Sequence, residues 1–166
     1  MIQVYTGDGK GKTSAAMGLA VRAKGQGLKV GVFQFLKAGE TGEKEALRAL
    51  GILFQQYGSG RWLINREPDK EEIALALKGL ADVAEAIAAG FQVLILDEIS
   101  HALNYGLLPL EKVLALARTL PAECELVLTG RDFPAELLAL ADLVTEMRAV
   151  KHPYARGIGP RRGIEY

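Results

Sequence analysis

The start of the chain limits what the rest can become. An apolar run, Ile2 to Tyr5, leads into Thr6-Gly7-Asp8-Gly9-Lys10-Gly11-Lys12-Thr13, and a helical pattern follows from Ser14 to Lys24. A strand, a glycine-rich loop and a helix in that order fit an α/β layout in which the loop lies beyond the carboxyl end of the strand. Glycines in such a loop let successive backbone N–H groups turn inward as an anion nest, and the following helix aims its positive end at the same point. Lys12 would reach outer phosphates and the Thr13 hydroxyl would ligate Mg²⁺. Thr6 to Ser14 is therefore the candidate phosphate cradle. Thr6 stands where the usual G-x-x-x-x-G-K-[ST] pattern has its first Gly or Ala, so the loop is a variant. Phosphate binding is expected; ATP hydrolysis does not follow from it.

Apolar runs alternate with helical patterns along the whole chain. Expected strands are 2–5, 29–36, 52–55, 92–97, 125–129 and 143–147, with helices at 13–26, 42–50, 69–89, 110–120 and 134–141. The helix from Asp69 carries a capping-box pattern with Glu72. It places Ile73, Leu77, Leu80, Ala84 and Ile87 on one face and stops at Gly90. Repeated strand-then-helix units predict a mainly parallel sheet with helices on both faces. At 166 residues, 49% of them hydrophobic, the chain suits a single domain whose central strands are buried on both sides. The segment 151–166 differs: four lysines and arginines, one glutamate, three glycines and two prolines predict an irregular basic tail. It either folds over an anionic ligand or is a surface tail with ordinary solubilising charge.

Acidic and basic residues balance at 20 each, so no net field points to nucleic acid. Cys124 is the only cysteine, which excludes an internal disulfide. No apolar run approaches the length of a membrane span, and no signal-peptide pattern precedes the first strand. A cytoplasmic protein is expected.

The second half of a nucleotide site should be an acidic residue ending an apolar strand. Val93-Leu94-Ile95-Leu96-Asp97-Glu98 supplies one, and either Asp97 or Glu98 would hold Mg²⁺ opposite Thr13. The other reading is a helix cap beside a solvated carboxylate. Arg131, after Thr129-Gly130, and Lys37, after Leu36, should also face the ligand side of the sheet, although loop cations are common there without special purpose. His101 is expected to be structural, and Cys124 to pack beside the fifth strand. Trp62 lies in the loop Gly58-Ser59-Gly60-Arg61-Trp62, where it either anchors the loop to the core or stacks on a ligand. Asn65 and Arg66 either cap the next helix or reach a ligand.

Taken in order, these segments resemble the P-loop type of ATP:corrinoid adenosyltransferases, also called cob(I)alamin adenosyltransferases. The resemblance rests on Gly7 to Thr13, Gln34-Phe35-Leu36-Lys37, Asn65-Arg66-Glu67, Leu96-Asp97-Glu98, Thr129-Gly130-Arg131, Val150-Lys151-His152 and the closing Gly163-Ile164-Glu165-Tyr166. It spans nearly the whole chain. It implies a three-layer, P-loop NTPase-like (RecA-like) fold over 1–166, acting as a homodimer on ATP with Mg²⁺ and a reduced corrinoid. Cobalt(I) would attack the 5′ carbon of ATP and expel triphosphate. ATP would then lie reversed relative to ordinary P-loop enzymes, and no general base is required. Positioning and charge stabilisation would do most of the work.

The resemblance further implies that an aromatic residue before Asn65-Arg66 displaces the lower cobalt ligand, so that a reduced flavoprotein can deliver the electron. Trp62 is the candidate, although this loop is shorter than the family pattern and has no Phe near Trp62. Better-known members also carry an N-terminal extension over the corrinoid, whereas this sequence begins one residue before its first strand. Either the basic tail does more of the covering or the corrinoid site is more open. Two other readings fit the loop alone: a small kinase or ATPase, and a non-catalytic ATP-binding switch.

Overall fold

A computed structural model describes residues 1–61, 63 and 66–165. Six strands form one sheet: β1 (Ile2–Thr6), β2 (Val30–Phe35), β3 (Leu53–Tyr57), β4 (Val93–Asp97), β5 (Glu125–Thr129) and β6 (Leu143–Glu146). Their order is β3-β2-β4-β5-β1-β6, and every neighbouring pair is parallel. The expected sheet was mainly parallel; the observed one is entirely so. The helices are α1 (Lys12–Gly25), α2 (Gly42–Ala49), α3 (Lys70–Ala88), α4 (Ile99–Asn104), α5 (Leu110–Arg118) and α6 (Ala135–Leu140).

Strand parity sorts the core into two layers, because successive side chains in a strand point to opposite faces. Val30, Val32, Val93, Ile95 and Val127 pack under α1 and α2 through Ala16, Met17, Ala20 and Leu47. Phe33, Phe35, Leu94, Leu96, Leu126 and Leu128 pack on the other face against α3 to α6, through residues such as Val83, Ala102, Leu114 and Leu137. Strands buried on both sides read as unbroken apolar runs, which is why they were visible in the sequence.

The capping box of α3 is present, with Asp69 accepting from the Glu72 N–H and Glu72 accepting from the Asp69 N–H. Its buried face is rotated from the expected one. Ala76, Gly79, Leu80, Val83 and Ala86 are buried, Ile73, Leu77 and Ile87 flank the contact, and Ala84 is exposed. Small residues let the helix approach the sheet closely, so the larger aliphatics splay to its sides. Short α4 was not expected from the sequence. The segment after β6 is irregular apart from one 3₁₀ turn, Pro153–Arg156. Among the described residues no helix is long and apolar enough to cross a membrane.

Candidate active site

The loop between β1 and α1 owes its shape to close backbone packing. Gly9 N–H donates to Met147 O at 2.6 Å, and a Cβ on Gly9 would lie 2.6 Å from that same oxygen. Gly7, at φ +94°, faces the same carbonyl at 2.5 Å from a would-be Cβ. Neither position admits a side chain. Thr6 still belongs to β1, paired with Glu146, so the turn begins one residue later at Gly7. That is how a threonine is accommodated at the variant position. Lys12 opens α1 and donates from Nζ to Gly7 O at 2.5 Å and Gly9 O at 2.9 Å. Burial, with Arg131 adding to it, holds its ammonium below the ordinary lysine range.

Beneath the loop lies a polar cluster fixed by strand register. Gln34 pairs with Asp97 across β2 and β4, and Thr129 follows one step past the Leu96–Leu128 pair. All three share the parity of the α1-facing residues, so they meet under the first turn of α1. Asp97 is fully buried and accepts four hydrogen bonds. Thr13 Oγ1 (2.8 Å) and Thr129 Oγ1 (2.6 Å) donate to one oxygen, and Gln34 Nε2 (2.9 Å) and Lys37 Nζ (3.2 Å) to the other. Burial pushes its pKa up, but Lys37 and these hydrogen bonds outweigh it and hold the carboxyl below the ordinary aspartate range. Lys37 in turn is held above the ordinary lysine range: burial opposes this, and Asp97 and Glu98 prevail.

Glu98 adopts the left-handed region, φ +62°, and turns its N–H back onto Thr129 Oγ1 at 3.0 Å. Its side chain faces the cleft. His101 Nδ1 lies 2.5 Å from Glu98 Oε2, a contact that is an ion pair only when the imidazole is protonated. Gly130 has φ +145°, and a Cβ there would fall 2.0 Å from buried Ser100 Oγ, so α4 and the end of β5 can touch only through a glycine.

Above the cluster lies a cleft of ≈ 620 Å³, within the size range of small-molecule sites. Asp8, Gly9, Lys10, Gly11, Lys12, Thr13, Ser14, Lys37, Glu98 and Arg131 all line it. Thr6 and Gly7 stand behind the loop, and Asp97 lies below, linked to the cleft through Thr13. Arg66 is elsewhere: its guanidinium makes a two-pronged contact with Glu72 at 2.6 and 2.8 Å, at the start of α3. Trp62 and Asn65 fall outside the described residues. Sequence reading did not place Gln34 and Thr129 as Asp97 partners, although their shared parity at strand ends was available. It also missed Glu43 and Met17, which line the cleft, while the tail, for which folding over an anionic ligand was one of two readings, contributes Gly163, Ile164 and Glu165 to the lining. Cys124 is buried before β5 and donates to Phe91 O, as its expected packing role requires.

A parallel three-layer domain with a glycine loop, Lys12 and Thr13 at one strand end and a buried aspartate two strands away is a P-loop nucleotide-binding protein. A profile of the family ATP:corrinoid adenosyltransferase BtuR/CobO/CobP matches residues 1–166. The chain is 39% identical over 173 residues to the corrinoid adenosyltransferase of Escherichia coli K12, covering 100% of this chain and 85% of that one. It is 38% identical over 170 residues to corrinoid adenosyltransferase CobA of Salmonella typhimurium, with the same coverage. With the corrinoid adenosyltransferase of Pseudomonas aeruginosa it shares 36% over 169 residues, 100% and 83% of the two chains. The protein belongs to the ATP:corrinoid adenosyltransferase family and is a transferase.

Proposed function

We propose that this protein transfers the 5′-deoxyadenosyl group of ATP to the cobalt(I) of a corrinoid, cobalamin or a precursor, and releases triphosphate. Cobalt(I) donates its electron pair to the 5′ carbon, the carbon–oxygen bond breaks, and the triphosphate departs with the bonding pair. Cobalt is formally oxidised by two electrons. The observation that carries this reading is the convergence of Lys12, Lys10, Lys37 and Arg131 on one cleft in a chain matching this family from end to end. The leaving group is a polyanion, and preorganised positive charge is what stabilises its departure.

The oxygen donors in the cleft suit Mg²⁺, which prefers hard oxygen ligands and retains phosphates and waters. Thr13 spends its hydroxyl proton on Asp97, which leaves oxygen lone pairs for a cation, and Glu98 offers its carboxylate in the same cleft. Thr13 and Glu98 would hold the ion, with Asp97 orienting Thr13. Among the described residues no cluster of three His, Cys, Asp or Glu side chains could bind a metal unaided, which fits a cation arriving with ATP. When bound, Mg²⁺ supplies further charge neutralisation on the phosphates.

A cytoplasmic homodimer is the working assembly, and a reduced flavoprotein is the electron donor. Trp62 is the residue assigned to displacing the lower cobalt ligand. The test is anaerobic incubation with Mg-ATP and chemically reduced cobalt(I) corrinoid, following the visible spectrum and free triphosphate. An adenosylcorrinoid spectrum with matching triphosphate, reduced at least ~100-fold in Lys12→Ala, is the expected outcome. Tight ATP binding without either product would sink the transferase reading.

A further inference from the structure

We propose that Glu165 is a positioning residue of the phosphate site, acting through Lys10 by competing with the triphosphate chain for its ammonium. The inference rests on the adenosyl-transfer reading above and adds a role for the end of the chain. Lys10 Nζ donates to Glu165 Oε1 at 2.7 Å and to Ile164 O at 3.0 Å. Glu165 is held by its own turn: Arg161 donates from its backbone N–H (2.7 Å) and Nε (3.2 Å) to Oε2, and from Nη2 (3.1 Å) to Oε1. Glu165 N–H closes the turn onto Arg161 O at 2.9 Å. The carboxylate is therefore fixed independently of Lys10, and the turn lines the same cleft as the loop.

The cations of the cleft differ in what they must give up. Lys12 is bonded to two neutral carbonyls. Lys37 pairs with Asp97, which is buried under the sheet end and cannot leave. Lys10 pairs with a carboxylate on a surface turn that retains Arg161 when the pair opens. A polyphosphate can take Lys10 from Glu165, and Glu165 can reclaim Lys10 as triphosphate departs. Exchange of one anion for another keeps the ammonium paired at both stages, so release does not leave a bare charge behind. This matters for a reaction whose product carries every phosphate that the substrate brought.

The probe is inorganic tripolyphosphate, titrated calorimetrically into the full chain as wild type, Glu165→Gln, Glu165→Asp, Lys10→Ala and the Lys10→Ala/Glu165→Gln double variant. Glu165→Gln should bind about threefold more tightly, the scale of a partly exposed ion pair. Glu165→Asp should stay near wild type, and the gain should vanish in the Lys10→Ala background. In anaerobic turnover the KM for Mg-ATP and the inhibition constant for tripolyphosphate should both fall about threefold in Glu165→Gln. A purely structural tail would leave affinity unchanged or weaken it. Either result overturns the proposal, as does an equal gain without Lys10. If the wild type binds neither tripolyphosphate nor Mg-ATP, the functional reading fails with it. If the wild type binds both and Glu165→Gln is no tighter, only the role of Glu165 fails.

Discussion

Two carboxylates meet two lysines around the same cleft, and the fold treats them differently. Asp97 sits at a central strand end with no exposure, and donors from α1, β2, β5 and the Lys37 loop saturate it. Glu165 sits on an irregular turn with its side chain 25% exposed, held by Arg161 four residues earlier. The first pair could not be taken apart without disturbing three strands and a helix. The second can open while every other contact stays in place. A site that must hold a polyanion and then let it go needs both kinds of pairing: a fixed one to keep the phosphate loop and acidic strand in register, and an exchangeable one at the mouth.

The sharpest way to break this contrast is Asp97→Asn. It leaves Lys37 without its counter-ion and, with the remaining oxygen kept toward Thr13 and Thr129, sets an NH2 donor against Gln34 Nε2 and Lys37 Nζ, so unfolding free energy should drop by about 3 kcal/mol. Turnover in the anaerobic assay should fall at least ~100-fold. Urea unfolding and the cobalt spectrum measure the two effects, and a variant as stable as wild type would show that Asp97 is not the anchor. Next in size is Thr129→Val, which keeps the shape but removes the hydroxyl joining Asp97 to the Glu98 N–H. A loss of about 1–2 kcal/mol is expected. Turnover should fall less than in Asp97→Asn.

Smaller effects belong to Glu165. Arg161 first, then Lys10, pull its carboxyl down to about 2. A depressed carboxyl contributes its contact fully above the unfolded value of about 4.3 and loses it as pH falls through the folded one. The Lys10 contact should therefore be constant from about pH 5 to about pH 8, and lost only toward about 2. Carboxyl NMR should find the Glu165 titration moved upward in Arg161→Leu. Smallest of all, Glu165→Gln should change Tm by less than about 1 °C, because exposed ion pairs contribute little to stability. A larger drop would mean that the tail is part of the folded core.

Much of this architecture was legible because the physics behind it is local. A strand buried on both faces, such as β4, must be almost continuously apolar, and although β6 is exposed throughout, the six observed strands lie within two residues of the expected ends. The glycine loop and the Leu96-Asp97-Glu98 strand end were readable for the same reason. The α3 face was misplaced because the pattern weighted large aliphatics, whereas close helix–sheet approach favoured Ala76 and Gly79. Helix α4 escaped because it starts at a left-handed Glu98 with no side-chain cap to announce it. Glu165 could not have been paired with Lys10 from sequence: 155 residues separate them, and nothing local to either one encodes the contact.

One feature of the sheet order bears on how the enzyme keeps its dimensions. Strand β5 stands between β1, which carries the phosphate loop, and β4, which carries the acidic end. Neighbouring strands are about 4.8 Å apart, so the interval from loop to acid is two lattice spacings of the sheet, roughly 10 Å. Backbone hydrogen bonding sets that interval, and no side chain does. The gauge of the cleft is thus indifferent to substitution along β5, except at Thr129, where the ruler itself carries a mark.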